Sequence, residues 1–254
     1  LTEENCNKTL ENNFKHGVKL FDTSPYYGLG LSETRLGNFL KNKERDSYLI
    51  CTKVGRYLVP ENPKKIDRGN WKGGLNFKPI IDYSYDGVMK SFEQSLDRLN
   101  LSRIDVCLIH DVDKWTHGED VEVHFKTAME GAYKALDKLK NEKVIQAIGI
   151  GVNESEMCFR FAEAGDFDCM ILAGRYTLLE QSGLEDFFPL IQIASWEFAD
   201  LEPPNKLLKK AGLLTEEKDD DLFFKKWFRW VMNQVSRISD RFGNNKKDDA
   251  EKVS

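Results

Sequence analysis

Short apolar runs alternate with longer amphipathic stretches as far as Gln181, and this alternation constrains the fold more than any other feature. The runs Val18–Phe21, Tyr48–Thr52, Ile104–Ile109, Ile145–Ile150 and Asp168–Leu172 have the length and residue types of strands. Before and between them lie helical patterns at Thr9–Lys15, Glu33–Leu40, Tyr85–Leu99, Val123–Leu139 and Glu154–Ala164. Tyr85–Leu99 is the clearest, with Val88, Phe92, Leu96 and Leu99 at helical spacing. Repeated strand–helix order predicts a parallel sheet covered by helices. Two α/β architectures fit the pattern. One is an open doubly wound sheet; the other is a barrel whose rim collects the polar residues that end successive strands.

At 254 residues the chain has the length for one large domain or two small ones, and for a sizeable buried core. A net charge of -5 with both signs interspersed carries no nucleic-acid footprint. No apolar run approaches bilayer-spanning length, and residues 1–20 do not follow the pattern of a signal peptide. Neither nucleic acid nor membrane is therefore an expected partner. The sequence begins at Leu1, which leads to the expectation that its natural start is missing. Cys6, Cys51, Cys107, Cys158 and Cys169 form no CxxC pair, and three of them sit inside apolar runs as small hydrophobes. That usage predicts a reducing, cytoplasmic compartment.

One connection is long. Residues 54–83, "VGRYLVPENPKKIDRGNWKGGLNFKPIIDY", are rich in proline, glycine and lysine, and are expected to form a surface loop. Loops of this length are often lids or specificity elements, with disorder as the alternative. After Gln181 the rhythm fails. "TEEKDDDLFFKKWFRWVMNQVSRISDRF" opens acidic, then predicts an amphipathic helix with Phe224, Trp227, Phe228, Val231, Val235 and Ile238 on one face. It packs on the domain or meets a partner or membrane surface, and a disordered tail from Asn244 follows.

Three strand ends carry groups suited to chemistry. The first delivers Asp22 and, five residues later, Tyr27; the second delivers Lys53; the third delivers His110. A lysine directly after an apolar strand is costly to bury without a carboxylate, and Asp22 on the adjacent strand supplies one. An ammonium beside a phenol favours its phenolate, which suits a tyrosine to take or give a proton near neutral pH. His110 would orient the same substrate oxygen. Singly, each of these residues also suits a structural role. Other motifs are weaker. Gly28 and Gly30 give "GLG" without a complete GxGxxG, and His110, Asp111, Asp113 and His117 in "HDVDKWTH" lack a metal-ligand spacing, so no metal is expected.

"LFDTSPYYG", "ICTKVGRY", "IDVCLIHDVD" and "AIGIGVNE" resemble the aldo-keto reductase family. "DYSYDGVMKSFEQSLDRLNLSRIDVCLIHDVDKWTHG" and "LAGRYTLLEQ" resemble its branch of D-threo-aldose 1-dehydrogenases, L-fucose and L-galactose dehydrogenases and pyridoxal 4-dehydrogenases. The likeness runs over residues 8–190, in sequential order. It implies a (β/α)8 barrel with NAD or NADP at the C-terminal strand ends, here in partial form with five recognisable strand–helix units. It implies the tetrad Asp22, Tyr27, Lys53 and His110, with Tyr27 as acid/base and Tyr26 packing or lining the pocket. It further implies Asn153 and Asp22 at the cofactor, and His110 at a small-molecule substrate. Trp115, in the loop after His110, either walls that substrate or is a packed loop aromatic.

Where the family has a first strand, and where it has a seventh and eighth, this sequence has no counterpart, and an internal loss between Leu190 and Ser195 is expected. Residues 1–214 would form the partial barrel, and residues 215–254 a charged, aromatic helix with its tail. The implied reaction is oxidation of C1 of a free aldose, of L-fucose, D-arabinose or L-galactose type, to the lactone. Pyridoxal or another small aldehyde or alcohol is the alternative substrate. A truncated, non-catalytic remnant or a binding protein is the alternative class.

Overall fold

In the computed structural model of the chain, the described residues are 2–175, 177, 179–184 and 187. They belong to one compact unit, Leu1–Phe187. In chain order the elements are α1 (Glu3–Lys15), β1 (Leu20–Asp22), α2 (Leu31–Leu40), β2 (Leu49–Val54), β3 (Arg56–Pro60), β4 (Phe77–Ile81), α3 (Tyr85–Leu99) and β5 (Val106–His110). They continue with α4 (Lys114–His117), α5 (Val121–Thr127), α6 (Lys134–Asn141), β6 (Ala147–Val152), α7 (Ser155–Ala164) and β7 (Cys169–Leu172).

The main sheet is parallel, in the order β1-β2-β5-β6-β7. Leaving the hairpin β3–β4 aside, that order follows the sequence without a reversal. A doubly wound sheet reverses at a switch point, whereas a barrel wall advances one strand at a time. The topology therefore decides between the two predicted architectures in favour of a partial (β/α)8 barrel. β2, β5 and β6 are buried along nearly their whole length, as strands with both faces covered must be. Ile50, Ile109, Ile148 and Ile150 of the sheet share one core with Val88, Phe92 and Leu99 of α3, Leu136 of α6 and Phe161 of α7. Each such side chain contributes about 1.5–3 kcal/mol by leaving water.

All five expected strands and all five expected helical stretches are present, several with one or both ends shifted. α3 matches its predicted span because both ends carry stop signals: Ser84 accepts a hydrogen bond from the Gly87 N–H, and Asn100 turns left-handed at φ 50°. α1 starts earlier than predicted, at Glu3, where Thr2 caps it by accepting from the Asn5 N–H. The expected helix Val123–Leu139 is interrupted by a π-helical segment, Ala128–Tyr133, between α5 and α6.

Residues 54–83 are corrected from a loop to a hairpin. β3 and β4 pair antiparallel, with Tyr57 opposite Ile80 and Leu58 opposite Pro79. Pro79 is tolerated because a two-stranded ribbon has two open edges. Gly55, at φ 99°, turns β2 into β3, and a side chain there would lie 2.4 Å from the Tyr83 ring. The expected C-terminal helix, its tail and the expected loss between Leu190 and Ser195 lie outside the described residues. No helix among the described residues is long and apolar enough to cross a membrane.

Two buried carboxylates tie the layers together. Glu33 of α2 accepts from Thr52 Oγ1 of β2 at 2.6 Å and from Arg98 Nε of α3 at 2.7 Å. Asp105, at the entry to β5, accepts from Arg45 Nη2 at 2.7 Å, Arg103 Nε at 3.0 Å and the Ile50 N–H at 2.8 Å. Each fully enclosed charge is thereby paired and hydrogen-bonded.

Candidate active site

Neighbouring residues on a strand point to opposite faces. Thr52 turns to Glu33 of α2, so Lys53 turns to the opposite face of the sheet, where it meets Asp22. Lys53 is only 2% exposed. Its ammonium is paired at 2.6 Å with Asp22 Oδ2 and donates to the Thr23 carbonyl at 2.9 Å. Gly151 of β6 gives the lysine stem room, since an ideal Cβ there would lie 3.2 Å from Lys53 Cε. Asp22, whose side chain is 34% exposed, remains partly solvated.

The chain leaves β1 through a tight turn in which Gly28, Leu29 and Gly30 all have positive φ, at 66°, 54° and 96°. That turn lays the Tyr27 ring between the other groups. Lys53 Nζ lies 4.8 Å from its centroid, and the His110 ring meets it edge-on at 5.7 Å and 84°. Asp22, Tyr27, Lys53 and His110, taken from three strand ends, thus meet at one place. His110 is 5% exposed, and burial, with the positive charges of Arg56 and Lys53, holds its pKa well below the usual 6.5. The imidazole is neutral near pH 7.

A cavity of about 370 Å³ opens on this cluster, lined among others by Tyr26, Tyr27, Arg56, Trp71, Trp115 and Asn153. Tyr26 lines it as expected, with its ring edge-on to Trp71 at 5.7 Å and under the Arg56 guanidinium at 4.9 Å. Trp115 forms the outer rim at 79% exposure, its backbone N–H donating to Glu154 Oε1 at 2.9 Å. Asn153 Nδ2 donates to Asp113 Oδ2 at 2.9 Å and to Asp111 Oδ1 at 3.3 Å. Both amide protons are then committed, and Oδ1 is left open among the described residues.

Several site residues were not singled out as such from sequence. Arg56, 5% exposed, forms an ion pair with Asp111: Nη1 lies 2.9 Å from Oδ2, although not aligned as a hydrogen bond. Burial raises the Asp111 pKa, and the Arg56 charge opposes that rise. Asp111 holds a left-handed φ of 52°, its N–H donating to the Gly151 carbonyl at 2.8 Å. Trp71, in the connection between β3 and β4, tilts onto Tyr27 at 5.5 Å. "GRYLVP" carries no polar–apolar alternation that would mark Arg56, since Tyr57, Leu58 and Val59 are apolar in a row. The four residues weighed as metal ligands have other partners. Asp111 pairs with Arg56, Asp113 holds Asn153 and caps α4 through the Thr116 N–H, His117 Nε2 lies 3.0 Å from the Tyr83 hydroxyl, and His110 Nδ1 lies 3.1 Å from Ser24 Oγ.

The family model described as the aldo/keto reductase family matches residues 1–235. Pyridoxal 4-dehydrogenase of Microbacterium luteolum is 39% identical over 193 residues, 72% of this chain and 56% of that protein. D-threo-aldose 1-dehydrogenase of a Pseudomonas species is 37% identical over 193 residues, 74% of this chain and 56% of its own length. The chain thus spans about half the length of these curated relatives. The solved holo form of an aldo-keto reductase from Bacillus halodurans superposes with a TM-score of 0.57 at 21% identity, over 75% of this chain and 54% of that one, a likeness of fold. With a matching family model over most of its length and strand-end residues in one cluster, the chain belongs to the aldo/keto reductase family.

Proposed function

We propose that this chain carries the catalytic cluster of an NAD(P)-dependent oxidoreductase that oxidises C1 of a free aldose, of L-fucose, D-arabinose or L-galactose type, to the lactone. The observation that carries this reading is the Lys53–Asp22 pair at 2.6 Å beneath the Tyr27 ring, with His110 edge-on to the same ring. An aldose in its cyclic form would set its anomeric hydroxyl between Tyr27 and His110. Tyr27 takes the hydroxyl proton, the neutral His110 orients the oxygen, and Lys53 keeps a positive charge 4.8 Å from the Tyr27 ring centroid. Asp22 holds Lys53 in place.

The nicotinamide end of the cofactor fits the residues present. Asn153 offers an unused amide oxygen at the cavity, the partner a carboxamide N–H needs, and the aromatic rings beside it leave room for a planar group. When bound, the cofactor supplies the acceptor for the hydride that leaves C1. Asn153 would orient it, and Trp115 would shield the substrate side from water.

The buried Arg56–Asp111 pair favours a polyhydroxylated substrate. A guanidinium beside a carboxylate offers donors and acceptors to neighbouring hydroxyls, while Tyr26, Trp71 and Trp115 offer ring faces to C–H groups. Pyridoxal is the second reading, favoured by the relative at 39% identity and by the same flat aromatic walls. The test is reduction of NAD and of NADP by the purified chain against L-fucose, D-arabinose, L-galactose and pyridoxal. Sugar-dependent turnover exceeding that with pyridoxal supports the first reading. Turnover with pyridoxal alone supports the second, and absence of saturable NAD(P)H binding supports a non-catalytic remnant.

A further inference from the structure

Ser24 sits two residues beyond Asp22 and does not line the cavity, yet it touches the histidine that does. It is fully buried, and its Oγ lies 3.1 Å from His110 Nδ1. The same oxygen accepts the Tyr26 N–H at 3.1 Å. On the other side of the ring, His110 Nε2 faces Asp111 Oδ1 at 3.4 Å.

A serine hydroxyl has one proton, and a neutral imidazole carries its proton on one nitrogen only. If that proton were on Nδ1, Ser24 Oγ would accept from both the ring and the Tyr26 N–H. Its own proton would then have no acceptor among the described residues, and the enclosed site admits no bulk water. A buried donor left unmade costs about 1–3 kcal/mol. Nε2, stripped of its proton, would also set a lone pair against the Asp111 carboxylate. With the proton on Nε2, both conflicts vanish: Ser24 donates to Nδ1, and Nε2–H points toward Asp111 and the cavity.

We propose that Ser24 is a positioning residue that locks His110 in its Nε2–H tautomer, so that the ring presents a donor to the substrate oxygen it shares with Tyr27. The catalytic consequence rests on the oxidoreductase reading above; the tautomer itself does not. Without the lock, a fraction of His110 offers a lone pair to that oxygen and orients nothing.

The experiment is a long-range ¹H–¹⁵N correlation spectrum of the full chain labelled with ¹⁵N-histidine, recorded near pH 7. The chain has four histidines, and the His110→Gln spectrum identifies which signals belong to residue 110. The expected pattern is a pyridine-like Nδ1 and a pyrrole-like Nε2. In Ser24→Ala the two signals move toward a tautomer average, and Ser24→Thr, which keeps the hydroxyl, restores the pattern. A pyrrole-like Nδ1 in the parent chain overturns the proposal, as does an unchanged pattern in Ser24→Ala. Where sugar turnover is measurable, Ser24→Ala should lower kcat by about threefold to tenfold, the worth of one hydrogen bond, with KM held. A kcat unmoved while the tautomer shifts overturns the positioning role. Failure of the parent chain to oxidise any sugar counts against the aldose reading alone, because the spectra still test the lock.

Discussion

An ammonium only 2% exposed survives at the end of β2 because Asp22 and the Thr23 carbonyl replace its water. This separates two kinds of charged residue in the site. In Lys53→Met, the apolar stem fits the same channel, and Asp22, at 34% exposure, is rehydrated. Stability should therefore change little while turnover falls about 10²- to 10⁴-fold, the range of general acid–base catalysis. Steady-state kinetics beside a urea titration checks both. Arg56→Ala should behave differently, because it strands the Asp111 carboxylate, whose side chain is 15% exposed. The expected cost is about 3–5 kcal/mol of stability, largely recovered in the double variant Arg56→Ala/Asp111→Asn. At this scale the sequence was readable where residues end apolar runs. Asp22, Lys53 and His110 declare themselves by being polar where an apolar strand stops. Ser24 and the Arg56–Asp111 pair do not, because their significance lies in which side chain crosses to meet them, and pairs distant in sequence leave no local pattern.

Elements were legible for a related reason. A buried parallel strand must be a short apolar run, and a helix covering it must show one apolar face, so β2, β5, β6 and α3 are visible before any coordinates. The hairpin β3–β4 was not. Its strands are half-exposed, one contains Pro79, and their connection carries the glycines and lysines of a loop. The segment reaches the candidate site through Trp71, which the hairpin returns to the Tyr26 and Tyr27 rings. Because Trp71 is only partly buried, Trp71→Ala should leave thermal stability nearly intact. It should raise the substrate KM by about threefold to tenfold, as loss of one aromatic contact does, and leave kcat close to that of the parent. A fall in kcat with KM unchanged would argue that the hairpin shapes the turn of Tyr27 and not the substrate site.

For the molecule as a whole, the ordered run of five parallel strands and the family match over residues 1–235 agree, although the chain spans about half the length of its curated relatives. The predicted choice between open sheet and barrel could not be made from periodicity, since strand order is a global property that no local window contains. Stability should also carry a pH signature of the whole unit. His110 lies well below 6.5 and His117 falls to about 4, both chiefly through burial, so the unfolded chain takes up these protons first. Their contribution is complete above pH 6.5 and is lost as pH falls from there toward 4. Asp111, raised by burial, works in the opposite sense at the acid end. The melting temperature should therefore drop by several degrees between pH 7 and pH 5, and a flat profile would contradict neutral burial of both rings.

Tyr27 is the proposed proton-transfer group, and Tyr27→Phe removes its hydroxyl while keeping the ring that meets Trp71 and His110. The decisive measurement is sugar-dependent reduction of NAD(P) by this variant beside NAD(P)H binding followed by fluorescence. The expected result is turnover lowered at least about 10²-fold with cofactor affinity kept. Sugar oxidation at the parent's rate in Tyr27→Phe would contradict it.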